Sequence, residues 1–335
     1  MFLHVRKIFF IFTFLVILVS IYLFTINPVY LWWMLLPIIF VIIGILDMIQ
    51  KKSAIIRNFP VVGHLRGMLS GFGPEIRQYF VESDTNGTPF NRLQRKIIES
   101  RANNMDGTHP FGTELNVYEE NYEWMPHSIY PVEKLNEAPR VLIGEHNCAK
   151  PYSASLLNIS AMSYGSLSKN AIVALNKGAQ LVGFYHDTGE GGVSHYHLES
   201  GGDLVYQLGT GYFGCRAEDG NFDPEKFKIT AASESVKMIE LKLSQGAKPG
   251  HGGILPAKKN TEEIAKIRGI KPFTVVHSPA HHKAFSDAIG LVNFIEKLRD
   301  LSGGKPTGFK LCIGLKSEFE DLCAVMRDTG KLPDF

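Results

Sequence analysis

Two long apolar runs open the chain. Between Ile8 and Ile26 only Thr13, Ser20 and Thr25 are polar, and between Val29 and Ile49 only Pro37, Gly44 and Asp47 interrupt. Each run is close to the ~20 residues that carry a helix across the hydrocarbon core of a bilayer. Asn27-Pro28 separates them, and Tyr22, Tyr30, Trp32 and Trp33 cluster at that turn, where aromatic rings favour the membrane interface. Arg6 and Lys7 precede the first run, while Lys51, Lys52 and Arg57 follow the second. The positive-inside rule therefore predicts a two-helix transmembrane hairpin over residues 1–50, with contact through residues 8–49. The expected location is the cell membrane, with both ends of the hairpin and the soluble domain in the cytoplasm. A cleaved signal peptide fits less well, because the first run exceeds the usual apolar core and lacks a small-residue cleavage site.

The pattern then loosens. Residues 51–150 are predicted as a linker and an irregular, partly helical extension. Lys51–Pro60 is basic, 63–73 is glycine-rich, and short helices are expected at Pro74–Glu82 and Asn91–Ala102. From Asn103 to Arg140 no period is visible.

Beyond residue 150 strands and helices alternate. Leu156–Met162 reads as a buried strand, followed by a serine-bearing loop and a helix with Ile172, Leu175, Ala179 and Val182 on one face. Met238–Leu243, Phe273–His277 and Gly308–Ile313 read as further strands. The helices between them begin at Thr261 and Ser286, and another covers Glu318–Met326. Such alternation predicts a parallel α/β sheet, and glycine-bearing loops after each strand favour a (βα) barrel. About five units occupy residues 151–335, and Leu332–Phe335 reads as the approach to a sixth strand.

Charge and cysteine content exclude more than they select. Thirty-five Lys and Arg against 33 Asp and Glu give no reason to expect a nucleic-acid partner. Cys148, Cys215, Cys312 and Cys323 are widely separated, which supports neither zinc nor iron–sulfur ligation and predicts reduced thiols. Metal pairs at His195/His197 or His281/His282 lack a nearby third ligand, so no metal site is predicted.

Chemistry concentrates in two glycine loops and one strand. Asp187-Thr-Gly-Glu-Gly-Gly192 lets a ligand approach bare backbone, but it lacks the endings of a P-loop or dinucleotide fold. A plain turn accounts for its glycines as well as a ligand cradle does. Glu190, set between Gly189 and Gly191, is either solvated or held beside an amine, imine or polar substrate edge. Gly246–Gly253 carries one cation, Lys248, suited to a carboxylate or phosphate if it is not a surface turn. Lys310 lies inside an apolar strand, where a buried ammonium needs a partner. One such partner is the N1/O2 edge of a flavin.

Six ordered phrases resemble the FMN-binding synthase domain of glutamate synthase, in particular its stand-alone, membrane-tethered members. They are Ile159–Ser168, Thr188–Gly192, Gln207 with Gly211–Gly214, Gln245–Pro256, Ser278–His282 and Phe309–Leu311. The resemblance implies an FMN-type (βα)8 TIM barrel, of which this chain would carry the amino-terminal portion. Ala161, Met162 and Ser163 would lie against the flavin ring, with Gln207 and Lys310 at its polar edge. Gly189, Glu190, Gly191 and Lys248 would face substrate, and Glu190 and Lys310 would be catalytic. The implied reaction is reduction of 2-iminoglutarate, formed from 2-oxoglutarate and ammonia, to glutamate. Reduction of another amino or oxo acid, or non-catalytic binding, stays open. The family's iron–sulfur cysteines and phosphate loop are expected beyond residue 335, so a carboxyl-terminal fragment completing the barrel is an expected partner. The electron donor is unassigned. Tyr206 and Tyr212 stand where basic residues are expected in the larger enzymes.

Overall fold

The computed structural model describes residues 2–29, 32, 35–105, 112–133, 135–247 and 251–335. Two units, Met1–Ile129 and Tyr130–Phe335, each hold their own contacts. The first is helical. Its helices are α1 (Phe2–Ile26), α2 (Leu35–Ile49), α3 (Ala54–Asn58), α4 (Val62–Gly71), α5 (Gly73–Ile76) and α6 (Arg92–Ala102), with a π-helical turn at Arg77–Val81 after α5. Helix α6 lies within the predicted Asn91–Ala102 segment, and Asn91 and Gln94 form a reciprocal capping box at its start.

Among the described residues one helix is long and apolar enough to span a membrane, where two were expected. Residues 6–26 of α1 form an apolar helix of 21 residues with mean hydropathy 2.7. Helix α2 has 15 residues, about 22 Å at 1.5 Å per residue, against about 30 Å of hydrocarbon. Pro37 falls in the first turn of the described helix, where a missing N–H and a fixed φ are accommodated. Parts of the predicted second span, residues 30, 31, 33 and 34, lie outside the described residues. The two helices still pack: Phe9 stacks on Phe40 at 5.3 Å, and a Cβ at Gly44 would fall 2.1 Å from the Phe9 ring.

The second unit opens with an antiparallel ribbon, β1 (Arg140–Ile143) and β2 (Tyr152–Ser155). There follow α7 (Lys169–Val182), β3 (His186–Asp187), α8 (His195–Leu198), β4 (Leu204–Leu208), α9 (Pro224–Ala231) and β5 (Val236–Lys242). Then come β6 (Ile254–Leu255), α10 (Glu262–Arg268), β7 (Val276–His277), α11 (Ala288–Leu301), β8 (Thr307–Lys310) and α12 (Lys316–Thr329). Strands β3, β4, β5 and β8 form one parallel sheet in that order. The class is therefore mixed α/β with a parallel sheet, as predicted. Four strands do not close a barrel, which needs eight.

Alternation along the strands divides the sheet into two faces. Leu204, Tyr206, Leu208, Ile239 and Leu241 pack with Phe227, Leu291, Ile295, Leu298 and Leu322 from the helices. Val205 and Met238 face the other way, toward Tyr152, Ala154 and Phe335. On this second face the carboxyl-terminal halves of the strands turn polar, with Gln207, Glu240, Lys242 and Lys310.

Two predicted strands are displaced. The β-strand expected at Leu156–Met162 sits earlier, at Tyr152–Ser155, and Leu156 and Leu157 are exposed. The side chain of Asn158 diverts the backbone: its amide donates to Ser155 O at 2.7 Å and its carbonyl oxygen accepts from Tyr185 N at 3.2 Å. Ile159 and Met162 then follow β3 by isolated hydrogen bonds to Tyr185 and Asp187. Phe273–His277 shortens to Val276–His277, which pairs antiparallel with β6 outside the parallel sheet. Phe273 has a φ of 56°, incompatible with a strand, and Asn260 Nδ2 donates to both Lys271 O and Thr274 O, closing the turn before β7. At the other edge, Asp334 N donates to Thr307 O and Phe309 N to Phe335 O, so residues 334–335 run beside β8.

Candidate functional site

The loop after β3 is shaped by what its glycines permit. Gly189, at a φ of 63°, donates its N–H to Asp187 Oδ1 at 2.8 Å. A Cβ there would lie 2.9 Å from Ser163 N, and one at Gly191 would lie 2.9 Å from Ser163 Cβ. Only glycine lets the 161–163 segment lie this close. Glu190 projects between two more glycines: a Cβ at Gly209 would meet Glu190 Oε2 at 2.6 Å, and one at Gly253 would meet Glu190 Oε1 at 2.7 Å.

Glu190 thus enters a polar cavity of about 170 Å³ with Ser163, Ser166, Gln245, Arg268 and Ser278 in its wall. The volume corresponds to about five or six waters, room for a small organic acid rather than a nucleotide. A smaller recess on the other side of Glu190 contains Lys242, Gln245 and His251. Lys242 Nζ stands 3.3 Å from Glu190 Oε2.

Arg268 closes the cavity from the excursion β6–α10–β7. It is 5% exposed, donates from Nη2 to Tyr164 O at 3.3 Å and lies over the Phe213 ring at 5.1 Å. Its Nε has no hydrogen-bond partner among the described residues. Burial lowers its pKa, and the charge of Glu190 works in the opposite direction. Among the described residues Arg268 has no carboxylate within ion-pair distance, since Glu190 is engaged by Lys242. A buried guanidinium without a carboxylate is costly unless an anion completes it.

A second polar group caps the sheet. Gln207 Nε2 donates to Asp187 Oδ2 at 3.3 Å and to Glu240 Oε1, which also lies 3.6 Å from Lys310 Nζ. Burial and the neighbouring Glu240 raise the pKa of Asp187 well above the usual carboxylate range, against the Gly189 N–H and the Lys310 charge. With its amide turned to the carboxyls, Gln207 presents a buried Oε1 that has no partner among the described residues. Lys242 and Lys310 are register partners on β5 and β8, so the two polar groups adjoin.

The structure brings Ser163 and Glu190 to the cavity, packs Gly189 and Gly191 against Ser163 outside its wall, and joins Gln207 to Lys310 through Glu240. Ala161 and Met162 are half-buried beside the end of β3. Lys248 lies outside the described residues. The histidines serve other ends. His197 Nε2 donates to Met162 O at 3.0 Å while its Nδ1 accepts from Ser194, so it fixes the backbone behind Ser163. His282 Nε2 donates to Lys242 O at 2.8 Å, and its Nδ1 lies 3.1 Å from the Tyr212 hydroxyl. His195 is exposed, 3.7 Å from Glu263. Tyr206 and Tyr212 are core residues with no exposure, so neither lines the cavity. Arg268, Lys242, Glu240 and Asp187 were not among the predicted site residues. A cation in the last turn of a helix already has a reason in the helix dipole, which hid Arg268.

Polar loops gathered at the carboxyl ends of parallel strands, around a cavity with a carboxylate and a buried cation, define an α/β protein built as an enzyme. Comparison with known proteins gives the family. The conserved region of glutamate synthase is matched by residues 98–328. The glutamate synthase large subunit-like protein YerD of Bacillus subtilis is 36% identical over 342 residues, covering 89% of this chain and 64% of YerD. The archaeal-type glutamate synthase (NADPH) of Thermotoga maritima is 37% identical over 153 residues, 45% of this chain and 28% of that protein. The glutamate synthase (NADPH) large chain of Azospirillum brasilense is 32% identical over 156 residues, 45% of this chain and 9% of that protein. The chain belongs to the glutamate synthase family, a family of oxidoreductases. It spans less than two thirds of the length of these relatives.

FMN is the general cofactor of the family's synthase domain. The residues at the polar end of the sheet fit it. Gln207 Oε1 is a buried acceptor in want of a donor, such as a flavin imide N–H, and Lys310 supplies the cation suited to a reduced ring.

Proposed function

We propose that this chain is the flavin- and substrate-binding part of a membrane-tethered glutamate synthase, acting on 2-iminoglutarate formed from 2-oxoglutarate and ammonia. Its sheet would be the first part of a (βα)8 barrel. Gln207 and Lys310 would hold the polar edge of FMN, with Ala161, Met162 and Ser163 along the ring. Bound FMN supplies two-electron hydride chemistry that side chains lack. The observation that carries the reading is the buried Arg268, without a carboxylate at ion-pair distance among the described residues, facing the cavity that Glu190 enters.

Arg268 provides a planar, permanently charged fork for a substrate carboxylate, and Lys248 would supply a second cation. Glu190, steadied by Lys242, accepts a hydrogen bond from the nitrogen of an imine and so fixes the face presented for reduction. Ser163, Ser166 and Ser278 offer hydroxyls for the remaining oxygens. Helix α1 would hold the protein to the cell membrane, with the soluble unit in the cytoplasm.

The test is the visible spectrum of the chain purified in detergent, alone and joined to the part of YerD that it does not cover. Flavin absorbance is expected, and under anaerobic conditions the reduced flavin should reoxidise only when 2-oxoglutarate and ammonium are both present. Absence of flavin in both forms would overturn the reading. Reoxidation by a different oxo acid alone would keep the enzyme and replace the substrate.

A further inference from the structure

We propose that α4 and the turns that continue it to Val81 lie flat on an anionic lipid surface, beside the amino end of α1. The inference rests on the reading of α1 as a membrane anchor.

The helical hairpin fixes the place. Helices α1 and α2 pack antiparallel, which brings Arg6 to the end of α2. Arg6 donates from Nε and Nη2 to Arg57 O, at 3.2 and 2.9 Å, and so ties α3 to the start of α1. Asp47, near the end of α2, accepts from Val61 N at 2.8 Å and from His64 Nε2 at 2.8 Å, which holds the first turn of α4 to the same end. That end of α1 carries Arg6 and Lys7, the mark of the cytoplasmic interface.

From there α4 runs on with one side uncovered. Gly63 packs against Ile56, but a Cβ at Gly67, Gly71 or Gly73 would meet nothing within 4 Å. Phe72 keeps helical geometry between α4 and α5, with Phe72 N bonded to Met68 O and Ile76 N to Phe72 O. Val62, Leu65, Leu69, Phe72 and Ile76 therefore recur at steps of three and four along one continuous stripe, and all five are exposed. A contiguous exposed apolar stripe of this kind marks an interaction surface.

Charge selects the cover. Between residues 51 and 82 stand Lys51, Lys52, Arg57, Arg66 and Arg77 against Glu75 and Glu82, the latter 3.7 Å from Arg77. Apolar residues on one side of a helix, cations around it and a membrane span fixed to its first turn are the requirements for burial at the boundary of headgroups and acyl chains. A cationic segment next to a span is drawn to the negative cytoplasmic leaflet. A second copy of this segment would bring one net-positive surface against another, so charge favours lipid.

The experiment uses the full chain in phosphatidylcholine vesicles with and without phosphatidylglycerol. Tryptophan is placed by Leu69→Trp, and by Ile98→Trp on α6 as a control, with the parent emission subtracted. With anionic lipid, Leu69→Trp is expected to shift to the blue and to be quenched about two-fold by lipids brominated near the headgroup. Ile98→Trp should be unaffected, and adding Lys51→Glu, Lys52→Glu and Arg66→Glu should abolish the quenching. Water-like, unquenched emission from Leu69→Trp would overturn the inference, as would a blue shift without bromine quenching, which would mean a protein cover. Resistance to carbonate extraction reports separately on α1. If carbonate strips the chain, the anchor reading fails, and the inference that rests on it falls too. If the chain resists carbonate while Leu69→Trp stays unquenched, only this inference fails.

Discussion

Lys242 and Glu190 meet at 3.3 Å across the polar ends of β5 and the loop after β3, while the buried Arg268 has no carboxylate within ion-pair distance among the described residues. On the proposed reading, one cation positions the acid and the other receives the substrate anion. Glu190→Gln should keep the shape and lose the charge. Turnover is expected to fall about 100-fold with flavin content unchanged. Gly209→Ala gives an independent check, because its Cβ would arrive 2.6 Å from Glu190 Oε2 and displace the carboxylate. Both variants should fail in kcat while their flavin spectra match the parent; full activity in either would remove Glu190 from the chemistry.

Arg268 is expected to show itself in KM. Replacing it by Met removes a charge-assisted carboxylate contact, and KM for the oxo acid should rise about 10- to 100-fold. Arg268→Lys keeps a cation but not the fork, so it should recover only part of the loss. Steady-state kinetics separate the two, and an unchanged KM in Arg268→Met would assign the carboxylate to another residue.

Asp187 makes a prediction about pH. Burial and Glu240 raise its pKa above the ordinary value of 3.8, so the folded protein holds a proton that the unfolded chain releases. The stability tied to that proton is present at low pH and is lost as pH rises from 3.8 through the raised value. Asp187→Asn cannot release it. Denaturation followed across pH should therefore show the variant gaining on the parent as pH increases, and parallel curves would mean that Asp187 is ionised in the fold.

Asn260 holds the excursion that carries Arg268. Its side-chain amide donates to Lys271 O at 2.8 Å and Thr274 O at 3.0 Å from a fully buried position. Asn260→Ala should cost about 1–3 kcal/mol in chemical denaturation. Binding of the oxo acid should weaken as well, although Asn260 lies outside the cavity wall. Loss of stability with unaltered binding would show that the turn before β7 does not position Arg268.

The local signals in the sequence were legible where a cap and a glycine agreed. Ser168 accepts from Ala171 N and Gly183 ends α7 in the left-handed region, so that helix lies where its period placed it. Thr261 starts α10 in the same way. Apolar runs without such marks misled. Phe273–His277 looks like a strand, but the buried amide of Asn260 and the backbone of Phe273 turn most of it into a loop. At the site, glycine loops gave away Glu190 because close approach demands glycine. Arg268 and Lys242 stayed hidden, since a cation on a helix or strand carries no mark of the cavity it faces.

The excursion β6–α10–β7 separates two duties. Gln207, Glu240 and Lys310 belong to the sheet, whereas Arg268 arrives on a segment that pairs only with itself through β6 and β7. If Arg268 holds the substrate acid as proposed, exchanging residues 254–277 between relatives would change which acid is preferred while leaving the sheet with Gln207, Glu240 and Lys310 intact.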